Sequence, residues 1–289
     1  MAQTSTLLVS SSAPLASAGP TQAPRAVRRN RQRRLSVKKT LSGSRLLGPA
    51  VVVGFWALAS ATGHLDPRTL PAPWTVAQTG WDLWTEGSLR QDTLTSLARA
   101  GKGLLLGLVI GTSLALLAGL SRAGDALIDG TVQVNRSIPT LGLIPLFIVW
   151  LGIGEGFKVA IIAIIVYIPI YLNLHAALRG IDLRFVELAE VSGLNRWQFI
   201  RHVVLPGALP GFFVGLRMAV TYSWLGLVVL EQINAVNGLG YMMFQATNYG
   251  QTAVIVVGLA VYGMFGFISD LLVRLVERRA LSWRRTISN

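Results

Sequence analysis

The chain contains no cysteine and has few charged residues for its length. Without cysteine there is no disulfide bond, no thiolate metal site and no cysteine nucleophile, and cysteine usage gives no information on the compartment. Charged residues make up 13% of the sequence, whereas ordinary globular domains have about a quarter. This shortage of charge makes the apolar segments the main source of information on the fold.

Common nucleotide-binding and hydrolytic motifs are also missing. No GxxxxGK[ST] phosphate loop occurs, because the Gly-Lys pair at 101–102 is followed by another glycine. Neither GxSxG nor HExxH occurs. His64, His175 and His202 lie far apart in sequence and near no pair of carboxylates at ligand spacing. The sequence therefore predicts neither an enzyme nor a metal site, and any ATP that drives its function must be bound by a separate subunit.

Hydrophobic residues account for 52% of the 289 residues, and the mean hydropathy is +0.53. They are gathered in stretches close to the roughly 20 residues that a helix needs to cross hydrocarbon. We therefore predict an all-α, polytopic membrane protein with six transmembrane helices, at about 46–62, 97–120, 138–151, 159–178, 210–230 and 252–276.

Small residues and prolines mark the predicted spans. In the second span, small residues recur every four positions and form one ridge that lets another helix approach closely: Gly103, Gly107, Gly111, Ala115 and Gly119. Pro139 and Pro145 predict a kinked or broken start of the third span, and Pro169 predicts an interruption of the fourth.

The segment before the first span is basic and has no hydrophobic periodicity. Residues 1–44 are rich in Ser, Ala, Pro and Arg, so we expect a disordered cytoplasmic tail. Because the Arg and Lys cluster abuts the first span, we interpret it as a positive-inside anchor rather than a nuclear or nucleic-acid-binding tag. The small residues at 59–61 leave a cleavable signal peptide as an alternative, but the charged region before them is longer than in a usual signal.

The distribution of charge predicts the orientation. With six spans, both termini and the segment 179–206 lie on one side of the membrane, and most Lys and Arg residues lie on that side. The positive-inside rule therefore places them in the cytoplasm. The net charge of +13 is explained by topology, and no nucleic-acid partner is predicted. The Lys and Arg residues of the other side are Arg68, Arg90, Arg99, Lys102 and Lys158.

The segment between the fourth and fifth spans carries the caps of two short helices. Asp182 can cap the first helix, and Gly193 can end it in the left-handed conformation. Asn195 and Gln198 predict a capping box that opens the second helix, and Pro206 is expected to end that helix. The pattern predicts a helix–turn–helix where a membrane protein normally has a simple connecting loop.

The spacing of this segment resembles the EAA loop of the inner-membrane subunits of ABC importers. The family pattern is Glu-Ala-Ala, three residues, Gly, nine residues and Ile-x-Leu-Pro. Leu188 and Val203 depart from this pattern, but both keep an apolar side chain. A surface loop with ordinary caps is the alternative, since capping motifs alone are common. The matching positions here are Glu187, Leu188 and Ala189, then Gly193, then Val203, Leu205 and Pro206.

The resemblance extends over about residues 46–283. It is closest to the nitrate, sulfonate and taurine branch of the family, and the last two segments below are especially similar to aliphatic sulfonate permeases. The segments that carry it are 136–139, 143–146, 150–154, 169–173, 205–210, 215–217 and 231–241.

The resemblance implies the type I ABC importer permease fold for residues 45–283, with an EAA coupling loop at 180–206 and a short cytoplasmic tail at 284–289. Two copies would pair around a pathway in the lipid bilayer of the bacterial inner membrane. Two cytoplasmic P-loop ATPase subunits and an extracytoplasmic solute-binding protein would complete the importer. ATP and Mg would be bound by the ATPase, so no cofactor is expected in this chain.

Two sets of residues follow from the resemblance and from their positions. Glu187 is expected to make a charge-assisted contact at the ATPase junction, with a solvated helix face as the alternative. Arg217 lies inside the fifth span, where it guides an anion or forms a structural pair. The coupling set is Glu187, Leu188, Ala189, Glu190, Gly193, Leu194, Arg196 and Trp197. The candidate pathway set is Arg217, Tyr222, Trp224, Glu231 and Asn173, with His175 as a further candidate.

The expected function is translocation of a small anionic solute, an aliphatic sulfonate, by alternating access. The same machinery acting on taurine, nitrate or another small metabolite is the alternative. Rivals of a different class are an ATP-independent secondary transporter or channel and a membrane scaffold without transport. Co-purification of a P-loop ATPase and a requirement for ATP distinguish an importer permease from both rivals.

Overall fold

A computed structural model describes residues 44–283, so the predictions for the tails at 1–43 and 284–289 lie outside the described residues. The described residues confirm the all-α prediction. The helices in chain order are α1 (Ser44–Ala61), α2 (Pro73–Thr85), α3 (Ser88–Leu120), α4 (Arg122–Ser137), α5 (Thr140–Leu151), α6 (Glu155–Arg179), α7 (Leu183–Val191), α8 (Arg196–Asn234), α9 (Leu239–Asn248) and α10 (Thr252–Ala280).

Four helices in residues 44–283 are long and apolar enough to cross a membrane: α3, α6, α8 and α10. Helices α4 and α5 are bent by 88° at their junction and make a fifth span if the pair is counted as one. The first predicted span falls on α1, whose apolar part, Leu47–Ala61, is shorter than these four. The chain is therefore a helical membrane protein with four or five candidate spans among its described residues.

The structure places the ends of several spans differently from the sequence. Helix α3 begins at Ser88, well before the predicted start near residue 97. The predicted break at the start of the third span is correct, because the chain bends between Ser137 and Thr140, next to Pro139. The predicted interruption at Pro169 is wrong, since α6 runs through it. Pro169 is buried between neighbouring helices, and such packing holds a proline-containing helix together in a membrane.

The predicted helix end at Pro206 is also wrong. Residues Ile200–Val204 form a π-helical turn, and the chain continues as one helix from Arg196 to Asn234. Proline has no amide hydrogen, and its ring collides with the carbonyl four residues before it in a regular α-helix. The wider π turn just before Pro206 changes that spacing, as single π turns do inside α-helices. The second helix of the helix–turn–helix is therefore continuous with the fifth predicted span.

Helix α6 lies at the centre of the fold, packed closely against α3 on one side and α8 on the other. The ridge of small residues predicted on α3 forms the first contact. A Cβ atom on Gly107 would lie 2.5 Å from the Ala163 carbonyl oxygen, and one on Gly111 would lie 2.7 Å from that of Tyr167. On the other side, a Cβ atom on Gly215 of α8 would lie 2.8 Å from the Pro169 carbonyl oxygen. Such close approach supplies the van der Waals contact that holds helices together in lipid.

The α3–α6 contact predicts opposite effects for two glycine substitutions on the same helix. Gly107→Ala places a methyl group against the α6 backbone and should destabilise the protein by about 1–3 kcal/mol, as overpacking typically does. An added Cβ at Gly101 meets nothing within 4 Å, so Gly101→Ala should be neutral or slightly stabilising. The melting temperature of the purified protein, followed by tryptophan fluorescence, measures both. Equal melting temperatures for the two variants would show that this contact is looser than described.

Candidate coupling surface and buried ion cluster

The helix–turn–helix begins with α7, and both of its predicted ends are confirmed. The Arg184 amide donates to the Asp182 carboxylate over 3.0 Å, which caps the first turn. At the other end the Leu194 amide donates to the Ala189 carbonyl, and the Gly193 amide to the Glu190 carbonyl. This pair of bonds is a Schellman motif, and it requires the left-handed conformation that Gly193 adopts with φ +67°.

The predicted capping box at the start of α8 is also confirmed. The Gln198 amide donates to Asn195 Oδ1 over 2.8 Å, and the Asn195 amide donates to Gln198 Oε1 over 3.0 Å. The first turn of α8 contacts α3: the Arg196 guanidinium donates to the Leu120 carbonyl at the end of α3. The 39 residues of α8 make a helix about 58 Å long at 1.5 Å per residue. The helix–turn–helix is thus tied to two of the three central helices.

Apolar side chains of the helix–turn–helix face outward. Ala189 is buried, but its neighbours in the predicted coupling set include an exposed leucine, Leu188, and an exposed tryptophan, Trp197. Val191 is 88% exposed. A group of exposed large apolar residues beside the acidic Glu187 and Glu190 is unusual on a solvated surface and is a candidate interaction site. We name this group the coupling patch: Phe185, Leu188, Val191, Leu194 and Trp197.

The predicted pathway residues do not meet at one site. Arg217 lies 3.3 Å from Asp270 on α10 and forms a second ion pair with Glu277, so the structural-pair interpretation describes it. The Trp224 indole donates to Ser269, also on α10. Tyr222 is 43% exposed on the outer face of α8.

Asn173 and Glu231 make other hydrogen bonds. The Asn173 amide donates to the Pro169 carbonyl within α6. Glu231 is fully buried near the far end of α8, in the cluster described below. Tyr262 contacts both Glu231 and the Trp224 ring, whereas Arg217, Tyr222 and Asn173 do not belong to this group of contacts.

His175 contacts two carboxylates that lie far from it in the sequence. Its Nε2 is 3.0 Å from Asp125 and its Nδ1 is 3.6 Å from Asp129. Arg179 and Tyr171 donate to the same two carboxylates. These contacts join the C-terminal part of α6 to the π-helical turn Asp125–Asp129 within α4, and 50 residues separate His175 from Asp125 in the sequence. They satisfy both carboxylates with side chains of the chain itself.

A cluster of charged residues lies at the opposite end of the central helices, and sequence reasoning selected only one of its members, Glu231. Its centre is Arg99 on α3, which is 2% exposed. Arg99 lies 21 residues before Leu120, or about 31 Å along the helix at 1.5 Å per residue. The sequence interpretation counted Arg99 among the charges on the extracytoplasmic side, although Arg99 lies just inside the predicted start of the second span near residue 97. In the structure α3 begins at Ser88, so Arg99 lies eleven residues after the start of the helix.

Arg99 uses all five of its N–H groups. Its Nε and Nη2 form a bidentate pair with the Glu155 carboxylate at 2.6 and 2.7 Å. Its Nη1 donates to Glu231 Oε1 and to the Asn237 carbonyl, both at 2.7 Å. The remaining Nη2 hydrogen goes to the Asn237 side chain at 2.7 Å. A single side chain thereby joins α3, α6, α8 and the loop that follows α8.

Glu231 is the second centre of this cluster, which we name the Arg99–Glu231 cluster. Its carboxylate accepts hydrogen bonds from Ser96, Arg99, Tyr262 and the Gly240 amide. A buried carboxylate is stable only with such a complete set of partners. Because the Gly240 amide belongs to the first turn of α9, Glu231 also fixes the start of that helix.

The loop from α8 to α9 passes directly over these charges. Gly238 has φ +116°, and a Cβ atom there would lie 2.5 Å from Glu231 Oε1 and 2.6 Å from Arg99 Nη1. The Gly238 amide donates to Asp92, and the next amide donates to Ser96 Oγ. Only glycine fits this backbone conformation and this approach. The Asn-Gly-Leu-Gly sequence at 237–240 is the one sequence feature that could have indicated the site.

The helical fold, the helix–turn–helix with its exposed patch and the broken span between α3 and α6 together describe a transport subunit of the membrane. The chain belongs to the family of binding-protein-dependent transport system inner membrane components, whose model matches residues 103–282. It is an ABC transporter permease subunit and a multi-pass inner-membrane protein rather than an enzyme. Members of this kind work with an ATPase and a solute-binding protein.

Two similar proteins are described as aliphatic sulfonates transport permease protein SsuC. The one from Escherichia coli is 41% identical over 235 residues, which cover 81% of this chain and 89% of that protein. The one from Bacillus subtilis is 36% identical over 241 residues, which cover 83% and 87%. The taurine transport system permease protein TauC of Escherichia coli is 30% identical over 254 residues, which cover 86% and 91%. The resemblance to the sulfonate and taurine branch is therefore confirmed.

A solved structure confirms the fold. The inward-facing MetNI methionine ABC transporter matches 66% of this chain and 97% of its own matched chain, with a TM-score of 0.53 and 23% sequence identity. At that identity the similarity concerns the arrangement of helices alone.

The Arg99–Glu231 cluster predicts a large effect for removal of one carboxylate. Glu231→Ala leaves a buried guanidinium without one of its two carboxylate partners, and breaking a buried ion pair typically costs about 3–5 kcal/mol. The matched control is Glu86→Ala, because Glu86 is exposed just before α3 begins and makes no contact with the cluster. Thermal unfolding of the purified proteins measures both. A Glu231→Ala protein as stable as the Glu86→Ala protein would contradict the role assigned to the cluster.

Proposed function

We propose that the chain is the permease subunit of an ABC importer that carries small anionic solutes of the aliphatic sulfonate class. The similarity to two sulfonate permeases over most of the chain supports this substrate class. Taurine, which also carries a sulfonate group, is the second candidate, because TauC is similar over a comparable length. Nitrate and other small metabolites remain outcomes of the test below.

The proposed assembly has two copies of the chain, two P-loop ATPase subunits and an extracytoplasmic solute-binding protein. In this proposal six spans, with α1 as the first and the bent pair α4–α5 as the third, leave both termini and the helix–turn–helix on one side of the membrane, which we assign to the cytoplasm. The concentration of Arg and Lys on that side supports this orientation. ATP and Mg are bound by the ATPase subunits, and this chain supplies the pathway.

The coupling patch is the observation that carries the proposal. Its apolar side chains point away from the body of the chain, where a groove on the ATPase can cover them. Glu187 is exposed on the same segment and is free to make a charge-assisted bond at the junction. The Schellman motif and the capping box make the segment rigid. A displacement of the coupling patch is therefore transmitted to α8 and is not lost in bending of the segment.

The connection from the coupling patch to the membrane is also rigid. Because α8 continues without interruption from Arg196 to Asn234, a push on the patch acts directly on a spanning helix. The bond from Arg196 to the end of α3 adds a second connection. ATP binding then favours one orientation of the central helices and nucleotide release the other, which is the differential binding that alternating access requires.

Arg217 has a structural role in this proposal. Its pairing with Asp270 and Glu277 joins α8 to α10 and leaves its charge compensated within the chain. An uncompensated guanidinium would be the better guide for an anion. Tyr222, which is exposed on α8, is the member of the predicted pathway set that is best placed to face a second copy of the chain.

Substitution in the coupling patch tests the proposal. Val191→Asp places a charge on a surface that the ATPase must cover, and burying an unpaired carboxylate costs several kcal/mol. We expect ATPase co-purification to fall by about tenfold or more, since each 1.4 kcal/mol is a factor of ten. ATP-dependent uptake of ethanesulfonate into proteoliposomes that hold the whole importer should fall with it. Uptake of taurine and of nitrate by the unsubstituted importer identifies the preferred substrate.

The matched control lies beyond the other end of α8. Val236 is 83% exposed in the loop after α8, so Val236→Asp adds the same charge to a similarly exposed valine. This variant should keep its ATPase. If Val191→Asp also keeps its ATPase, the coupling patch is not the docking surface. Uptake that needs an ion gradient and no ATP would instead indicate a secondary transporter.

A further inference from the structure

The Glu155 carboxylate differs from the other partners of Arg99 in its exposure. Glu231 is fully buried, whereas the Glu155 side chain is 59% exposed, although it contacts two side chains, Arg99 and Lys158, that are 3% and 4% exposed. Glu155 therefore covers two buried cations from the solvent side. It does so through the Nε and Nη2 edge of the guanidinium, the edge that binds planar or tetrahedral oxyanions with two bonds.

The segment that carries Glu155 has room to move. It follows the glycine-rich turn at 152–154, and an added Cβ on Gly152, Gly154 or Gly156 meets nothing within 4 Å. No side-chain hydrogen bond caps the start of α6 at Gly154. Apart from its two cationic partners, Glu155 makes no side-chain hydrogen bond among the described residues. Displacement of Glu155 therefore breaks only the contacts that a second anion would restore.

A cavity of about 430 Å³ opens at this edge of Arg99. Its polar lining includes Thr95, Lys102 and Asn237 in addition to Arg99 and Glu155, and its apolar lining includes Leu94 and Val159. With Glu155 in place, Arg99 and Lys158 are balanced by two carboxylates, Glu155 and Glu231. With Glu155 displaced, Glu231 alone balances Arg99 and Lys158, and Lys102 adds a further cation to a cavity that also has apolar walls. That combination suits an anionic head with a short apolar tail.

We propose that Arg99 and Lys158 form a binding site for the sulfonate group of the transported solute, and that Glu155 occupies this site as an internal anion until the solute replaces it. Two sulfonate oxygens take the positions of Glu155 Oε1 and Oε2, and the alkyl tail lies against Leu94 and Val159. Glu231 holds the guanidinium in position throughout. This proposal rests on the proposed function for the nature of the solute, and it places an exchange step at the end of the central helices opposite the coupling patch.

Removal of the internal anion tests the proposal. The variant Glu155→Gln, in the full chain with its ATPase and in zwitterionic phosphatidylcholine nanodiscs, should bind ethanesulfonate about tenfold or more tightly than the unsubstituted protein, because a charged competitor with two charge-assisted bonds is gone. Ethanesulfonate should also raise its melting temperature more. Isothermal titration calorimetry and thermal unfolding measure the two effects.

Three further variants control the measurement. Glu86→Gln removes an exposed carboxylate near the start of α3 and should bind ethanesulfonate as the unsubstituted protein does. Glu155→Gln combined with Arg99→Lys keeps the charge but loses the two-bond edge, so the gain in affinity should disappear. Glu155→Asp shortens the side chain and should give a smaller gain, which keeps the test decisive if Glu155→Gln does not fold.

Equal affinities of the Glu155 variants and the unsubstituted protein for ethanesulfonate would overturn the proposal. The proposal would also be overturned if Glu155→Gln and Glu155→Asp were both unstable and ethanesulfonate stabilised neither of them. A response to phosphatidylglycerol in the nanodisc, without a response to ethanesulfonate, would assign the site to a lipid headgroup and also overturn it. Uptake by the unsubstituted importer separates the two proposals. If ethanesulfonate is transported but Glu155→Gln has no effect, only the exchange site fails. If Glu155→Gln binds ethanesulfonate but no sulfonate is transported, only the proposed function fails.

Discussion

The close packing of α6 between α3 and α8 is the contact on which the rest of the structure depends. In lipid there is little hydrophobic gain in bringing helices together, so the association must come from backbone approach and from buried polar bonds. Gly107 and Gly111 on α3 and Gly215 on α8 allow that approach. Because the three helices share one contact layer, residues at both of their ends are brought together from distant parts of the sequence.

Each end of these three helices has its own polar junction. At one end, Arg196 of α8 bonds to the last carbonyl of α3, and His175 of α6 contacts the π turn that follows α3. At the other end, Arg99 of α3 bonds to Glu155 of α6 and Glu231 of α8. Closely packed helices with both ends joined resist relative sliding. The coupling patch at one end and the proposed anion site at the other are therefore carried on one body.

Local signals in the sequence were sufficient for the helix–turn–helix, because its caps depend on residues within a few positions of one another. The glycine ridge was predictable for a similar reason, since its spacing is visible on one helix. Helix lengths were harder, because the effects of Pro169 and Pro206 depend on packing and on a π turn that no short pattern specifies. Within the Arg99–Glu231 cluster, Glu231 is among the residues that the sequence singles out, but its pairing with Arg99 could not be predicted, since the partners of Arg99 lie 56 to 138 residues from it.

Whether α3, α6 and α8 move as one rigid unit can be measured directly. Because the chain has no cysteine, spin labels can be attached at cysteines introduced at chosen sites. Val109→Cys on α3 and Leu225→Cys on α8 place labels at exposed positions on both sides of α6. Double electron–electron resonance on labelled chains, diluted with unlabelled copies in the importer, gives the distance between them. We expect the same narrow distance distribution without nucleotide and with ATP. A shift of several ångströms on ATP binding would show that the three helices move separately.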